Sequence, residues 1–376
     1  MNFDLTDEQR LLQDSVARFV ADNYSLEKRI ALTAAEPGYS RDHWRTFAEL
    51  GWLALPFSED DGGIGGSALD VMLLMEQFGK ALVVEPFLAS IVLGGGAVRR
   101  VGSVAQKTQI LPGLIAGTSQ LALAYVETQA PHDASDVTTT ARSERDDFVL
   151  NGQKSLVLNA ATANLLVVSA RTMGAQHEAQ GISLFLVDPK LDGVQLENYP
   201  TVDGLRASEV TLTNVRVAAQ DLLGELHNGH ATLAATLNDG ILAVAAEAVG
   251  AMDVLVKDTV VYTQQRQQFG HPLSEFQVLQ HRMVDMLVEQ ELCRSLLYRA
   301  TMEQVQGVPN AEKSVHALKH MVGTAGTFVG ENAVQLHGGM GMTEEMKVSH
   351  TFRRLTTIAQ RFGDADHHLE RYAALG

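Results

Sequence analysis

The sequence predicts an α+β protein of several domains, with a β-rich middle part between two helical ones. Three observations carry that prediction. Apolar residues recur at helical spacing up to about residue 116, fall into short β-rich runs between about Leu121 and Leu223, and return to helical spacing from about Leu226. The middle runs are bounded by turn residues, and no linker marks either change of period. With 376 residues, 45% of them hydrophobic, the chain can fill more than one core. The expected divisions are 1–117, 118–225 and 226–376.

In the first part, Leu11, Val16, Phe19 and Val20, then Trp44, Phe47, Leu50 and Leu53, each mark one face of a helix. The middle part offers runs at Leu121 to Val126, Thr138 to Ala141, Phe148 to Leu150, Leu165 to Ser169, Ile182 to Val187 and Val210 to Val215. Asn151-Gly152 and Asp192-Gly193 read as turns between them, so a small, mostly antiparallel sheet is expected. Long helices are predicted at Ile241 to Gln265, Phe276 to Val305 and Ala311 to Leu336. Gly62-Gly63 and Gly94-Gly95-Gly96 lack the Lys-Ser/Thr of a P-loop and the spacing of a Rossmann turn, and read as turns.

Composition excludes several classes of partner. A formal charge of −16 with no Lys/Arg cluster argues against nucleic acid. The single cysteine, Cys293, excludes an intrachain disulfide framework and reads as a small buried hydrophobe in an apolar helix. The opening segment is acidic and amphipathic rather than a secretory signal. No apolar run approaches the roughly 20 residues that span a bilayer, so no membrane partner and a cytoplasmic location are expected. Adjacent His367 and His368 project in different directions from a helix and do not suit one metal. Asp364 or Asp366 instead reads as the cap of a helix start, and no metal site is expected.

Two segments among the helices carry chemistry. Arg266-Gln267-Gln268-Phe269-Gly270 puts a planar cation at a helix end beside an aromatic ring, and such a guanidinium can fork onto a pyrophosphate. Gln335-Leu336-His337-Gly338-Gly339-Met340-Gly341 places small residues where a backbone can approach a ligand. Either alone could be a helix end with its glycine cap or an ordinary turn. In this order they point to a flavin site.

These segments resemble the carboxy-terminal signatures of the acyl-CoA dehydrogenase family of flavoproteins, and the resemblance covers essentially the whole chain. Asn2-Phe3-Asp4-Leu5-Thr6-Asp7-Glu8-Gln9 resembles the family's first helix, Pro56 with Gly62-Gly63 its early loop, and Val149 to Lys154 the hairpin of its middle domain. Phe362-Gly363-Asp364-Ala365-Asp366-His367-His368-Leu369 is similar to the tail of the small subunits of pimeloyl-CoA dehydrogenase and related two-component members. The resemblance implies an N-terminal helical domain, a middle β-barrel or sandwich and a C-terminal four-helix bundle. It also implies FAD, an acyl-CoA substrate, and an electron-transfer flavoprotein or similar acceptor.

The family's reaction removes a proton alpha to a thioester while the beta hydrogen leaves as hydride to the flavin, which requires a base and carbonyl hydrogen bonds. In most members a Glu precedes a Gly-Thr pair near the carboxy terminus, where this chain reads Thr357 to Gly363 with Gln360 at the matching place. A carboxamide takes no proton at neutral pH. The family's second placement falls on Gly240, and Asp239 beside it is the candidate base; its other reading is an N-cap, with Asn238, for the run from Ile241. Glu247 is a further candidate for a buried or paired carboxylate.

The same resemblance places Tyr125, Val126, Glu127, Ser135, Leu156 and Leu158 around the flavin ring, where Ala134 and Thr128 replace the usual Gly and Pro. Leu158 stands at a Thr position and cannot donate its hydrogen bond. Arg266, Phe269, Gln277, Gln335, Gly338 and Gly339 match the residues with which one subunit's bundle holds a neighbour's FAD. Three readings follow: one chain of a two-chain dehydrogenase that shares sites with a homologous larger subunit, a self-sufficient homotetramer using Asp239, and a silent scaffold that stabilises its partner.

Overall fold

Thr6 starts the first helix by a reciprocal cap: its hydroxyl accepts from the Gln9 amide, and the Gln9 side chain accepts from the Thr6 amide. The structure, a computed structural model, describes residues 4–130 and 132–376, so Asn2 and Phe3 of the opening segment lie outside it. The described residues form α1 (Asp7–Asn23), α2 (Leu26–Ala34), α3 (Arg41–Glu49), α4 (Ala68–Ala81), a π-helical segment (Phe87–Gly95), α5 (Gly96–Val101) and α6 (Val104–Ile115). Strands follow as β1 (Leu121–Ala124), β2 (Thr140–Glu144), β3 (Asp147–Leu158), β4 (Leu165–Arg171), β5 (Ile182–Val187), β6 (Val194–Pro200), β7 (Arg206–Ala218) and β8 (Leu222–Leu223). Then come α7 (Gly229–Gln265), a hairpin of β9 (Gln267–Gln268) and β10 (His271–Pro272), α8 (Gln277–Val305), α9 (Ala311–His337), α10 (Lys347–Gln360) and α11 (Ala365–Ala374). Contacts divide the chain into two units, one of residues 32–66 and 84–240, the other of 1–31, 67–83 and 241–376.

The first unit is built on an eight-stranded sheet in the order β6-β7-β3-β2-β4-β5-β8, with β1 joining β4 in parallel. Most of the other pairs are antiparallel. Apolar β5 is buried along its whole length, and Phe185 packs on Phe148 with ring centroids 5.0 Å apart. Strand β6 has no counterpart in the sequence reading, because its exposed edge position leaves Glu197 and Asn198 among Val194 and Leu196. Asp192-Gly193 is a turn, with Gly193 at φ 89.

Asn151-Gly152 is not a turn. The hairpin turns at Arg145-Asp146, and Asn151-Gly152 lies inside β3 where its register with β7 shifts. The bulge has a local reason: Asn151 Oδ1 accepts from the Asn214 amide at 2.8 Å, and a Cβ on Gly152 would meet Thr139 Oγ1 at 2.5 Å. Gly94-Gly95-Gly96 also differs from expectation, continuing the π-helical segment into α5 instead of turning. A Cβ on Gly94 would meet Leu121 Cβ at 2.4 Å, and one on Gly95 would meet the Phe57 ring at 2.8 Å. These glycines serve close packing.

In the second unit α4 and α7 cross at two glycines. A Cβ on Gly79 would come within 1.9 Å of the Glu247 carbonyl oxygen, and one on Gly250 within 1.9 Å of that of Glu76. The close crossing is flanked by a buried polar network in which Arg294 faces Glu76 at 3.7 Å and Asp253 at 3.3 Å. Leu82 leaves α4 in the left-handed conformation, and its carbonyl accepts from buried Arg29 Nε at 3.0 Å. Asp364 caps α11 by accepting from the His367 amide at 2.9 Å. Cys293 is buried in α8, and that burial pushes its thiol up to about 12.

Candidate functional site

The sheet unit holds the first group of expected ligand residues. Tyr125 and Val126 follow β1 half-buried, and the Val126 carbonyl accepts from the Ser155 amide at 2.8 Å. Glu127 is buried: its Oε1 accepts from Lys154 Nζ at 2.7 Å and from the Thr139 amide at 3.1 Å. Its Oε2 accepts from the Thr138 amide at 2.8 Å, the Thr138 hydroxyl and Gln129 Nε2. Burial works to raise this carboxyl, but the Lys154 ammonium outweighs it and the pKa falls to about 2. Burial draws Lys154 down to about 8 against the pull of Glu127, so the pair is ionised at neutral pH. Glu127 therefore shapes the strand ends from inside the protein.

Ser135 caps its own turn, its amide and hydroxyl both donating to Asp133 Oδ1. Leu156 is half-exposed at φ 51, a conformation rare for leucine, where β3 shifts register again. Its amide donates to Glu209 Oε1 at 3.2 Å, and Tyr199 Oη donates to the same oxygen at 2.6 Å. Sequence reasoning missed Glu209 and Tyr199, since Tyr199 on edge strand β6 and Glu209 on its neighbour β7 occupy positions that look like solvent-facing polar residues. Leu158 is partly buried and apolar. Strained Leu156 is what this group presents to solvent.

The second unit brings the other group together. At the end of α7, Arg266 is followed by the β9–β10 hairpin, whose tip Phe269-Gly270 has φ 57 and 84. The motif is thus a helix end running into a tight hairpin. Phe269 is 90% exposed, with its ring edge-on to Phe276 at 6.4 Å. At the end of α9, Gly338 has φ 60, and a Cβ on Gly338 or Gly339 would meet nothing within 4 Å. Tyr262 ties the two ends: it stacks on His337 at 4.2 Å and donates to its carbonyl at 3.2 Å. Arg266, Gln277, Gln335, Gly338 and Gly339 are all exposed, and Arg266 has no ion-pair partner among the described residues. Together they form an open, donor-rich edge suited to a phosphate-bearing ligand.

Comparison with known proteins agrees along the length of the chain. Models described as acyl-CoA dehydrogenase N-terminal, middle and C-terminal domain match residues 6–118, 122–215 and 227–374. The chain belongs to the acyl-CoA dehydrogenase family. The chain is 31% identical over 366 residues to the short-chain specific acyl-CoA dehydrogenase of Megasphaera elsdenii, covering 94% of each. It is similar to the structure of PigA in complex with FAD, with a TM-score of 0.91 at 26% identity, over 100% of this chain and 98% of that one. It is also similar to a variant of the Tcur3481-Tcur3483 steroid ACAD, with a TM-score of 0.88 at 27% identity, over 98% and 97%. The three-domain architecture of the family is therefore present, and the protein is an oxidoreductase of that family.

The carboxylates of this chain are engaged where a base was expected. Asp239 is not an N-cap: α7 begins ten residues earlier at Gly229, because Thr232, Leu233 and Thr236 already pack as helix. Its Oδ2 lies 2.8 Å from both Arg99 Nη2 and Arg100 Nη1 of α5. Glu247 is locked to Arg354 by contacts of 2.6 and 2.7 Å. Helix α10 closes on Gln360, and the loop before α11 is Arg361-Phe362-Gly363-Asp364, with Phe362 at φ 63. Its one carboxylate, Asp364, caps α11.

Proposed function

We propose that this member of the acyl-CoA dehydrogenase family is one chain of a two-component, FAD-dependent enzyme that introduces an α,β double bond into an acyl-CoA thioester. The observation that carries the reading is a contrast within the chain. The edge expected to hold a neighbour's dinucleotide is open, whereas the segment expected to carry the base has none. Arg266 would pair with the pyrophosphate, the Gly338-Gly339 backbone would admit close approach, and Phe269 with Gln277 and Gln335 would border the nucleotide. FAD, when bound, supplies the acceptor for the substrate's beta hydride.

This chain's own middle unit supports a weaker hold. The polar groups of Glu127 and Ser135 are satisfied internally, and Leu158 offers no hydroxyl. Leu156 could cover a ring face by apolar contact alone. A homologous larger subunit would supply the base and the second half of each site. The name of the Tcur3481-Tcur3483 steroid ACAD pairs two designations, which agrees with such an arrangement in that protein.

The test is to purify the chain alone and with its larger homologue, then measure flavin absorbance and acyl-CoA desaturation. Little flavin and little activity alone, with both present in the complex, is the expected result. Stoichiometric flavin and full activity of the chain alone would favour a homotetramer using Asp239. A complex whose flavin content ignores Arg266→Ala would leave this chain a scaffold.

A further inference from the structure

Arg266 and Gly338-Gly339 reach the open edge from the ends of two different helices, α7 and α9. A Cβ on Gly338 or Gly339 would meet nothing within 4 Å, which leaves that backbone open on its Cα side. Glycine also loses more conformational freedom than any other residue when a ligand fixes it, so an unbraced Gly-Gly span would bind weakly. Tyr262 reaches both halves of the edge. Its carbonyl accepts from the Arg266 amide at 2.9 Å, one helical turn on. Its hydroxyl donates at 3.2 Å to the carbonyl of His337, the residue before Gly338, and its ring stacks on that of His337 with centroids 4.2 Å apart and 25° between the planes.

His337 suits this contact because its own ring is held. It is buried, and its Nδ1 lies 2.8 Å from the Ala333 carbonyl; a carbonyl only accepts, so Nδ1 carries the hydrogen and the ring keeps one orientation. Burial is the larger influence on its pKa and lowers it, so the stacked ring is neutral at neutral pH. The His337 carbonyl is the last in α9, one of those that a helix cannot satisfy itself, and the Tyr262 hydroxyl caps it. Beyond the two glycines the chain is anchored again. A Cβ on Gly341 would meet the Val334 carbonyl oxygen at 2.7 Å and His337 Cβ at 3.1 Å, and Ser349 Oγ donates to the Thr343 carbonyl at 2.7 Å. Gly338-Gly339 is thus a short span between two fixed points, and Tyr262 holds the one that is also tied to Arg266.

We propose that Tyr262 is a positioning residue for the dinucleotide edge: through the ring and carbonyl of His337 it sets the Gly338-Gly339 backbone in register with Arg266 before a pyrophosphate arrives. The proposal rests on the reading of that edge given above. Two variants separate the contacts, since Tyr262→Phe keeps the ring stack and loses the hydroxyl, whereas Tyr262→Leu loses both. Each is assembled with the larger homologue, stripped of flavin and titrated with FAD by absorbance, beside the native complex and Arg266→Ala. Tyr262→Leu is expected to raise the FAD concentration at half-saturation about tenfold or more and Tyr262→Phe about threefold, both reaching native stoichiometry at saturation. In the full chain without flavin, hydrogen exchange of the Gly338 and Thr343 amides, which donate to Gln335 and Met340, quickens several-fold in Tyr262→Leu. Native affinity in either variant, unchanged exchange, or a loss that saturating FAD does not restore would overturn the proposal. If Arg266→Ala loses flavin while the Tyr262 variants do not, the positioning role alone falls; if all three bind as the native complex does, the dinucleotide edge falls with it.

Discussion

Glu127 and Lys154 set the terms at the residue scale, because an ion pair this deep is held by its partners and not by water. Removing one member strands the other, so Lys154→Met is expected to lower unfolding stability by about 3–5 kcal/mol. The midpoint in denaturant measures this, and an unshifted midpoint would contradict it. Lys319 is the opposite case: it is buried, and among the described residues its ammonium donates only to the carbonyls of Ala359 and Gly363. Burial, then nearby Arg361, draws it from 10.5 down to about 7. The unfolded chain therefore binds more protons between those two values, and stability rises with pH across that window. Lys319→Met should flatten the gain in melting temperature between about pH 7 and 9, while an identical slope would remove Lys319 as its source. Asp239 separates two readings of the chemistry. Asp239→Asn should leave the activity of the complex within a few-fold, whereas a general base would cost about 10²–10⁴-fold in kcat.

At the scale of elements, the α4–α7 crossing is the tightest constraint seen in the helical unit. Gly250→Ala drives a methyl into the Glu76 carbonyl and is expected to cost about 1–3 kcal/mol or more, read by thermal melting; a neutral outcome would show that the helices can separate. How much of the fold the sequence revealed depended on how local the cause was. Strand β5 was legible because five of its six residues are apolar and all six are buried, and α8 because its buried positions keep a helical period along its length. Edge strand β6 and the first turns of α7 were hidden, since one alternates with charge and the other is rich in Thr, Asn and Gly. Asn151-Gly152 misled because the same dipeptide that suits a turn also suits a bulge, and only β7 across the sheet decides between them. The site divides in the same way. Arg266 and Gly338 announce themselves in motifs, while the Arg99 and Arg100 contacts to Asp239 and the Glu209 contact to Leu156 join residues distant in sequence.

At the scale of the whole molecule, the proposed two-chain arrangement makes this chain half of a shared site. It offers an open edge for a nucleotide, has Gln360 where a base was expected and spends the carboxylate of the α10–α11 loop, Asp364, on capping α11, which is what the proposed dependence on a partner rests on. The most direct measurement is the flavin absorbance of the purified chain, alone and with its larger homologue, for the native sequence and for Arg266→Ala. Little flavin is expected in the isolated chain, full occupancy in the native complex, and a loss of most of that flavin when Arg266 is replaced. Stoichiometric flavin in the isolated chain, or a complex indifferent to Arg266→Ala, would contradict that arrangement.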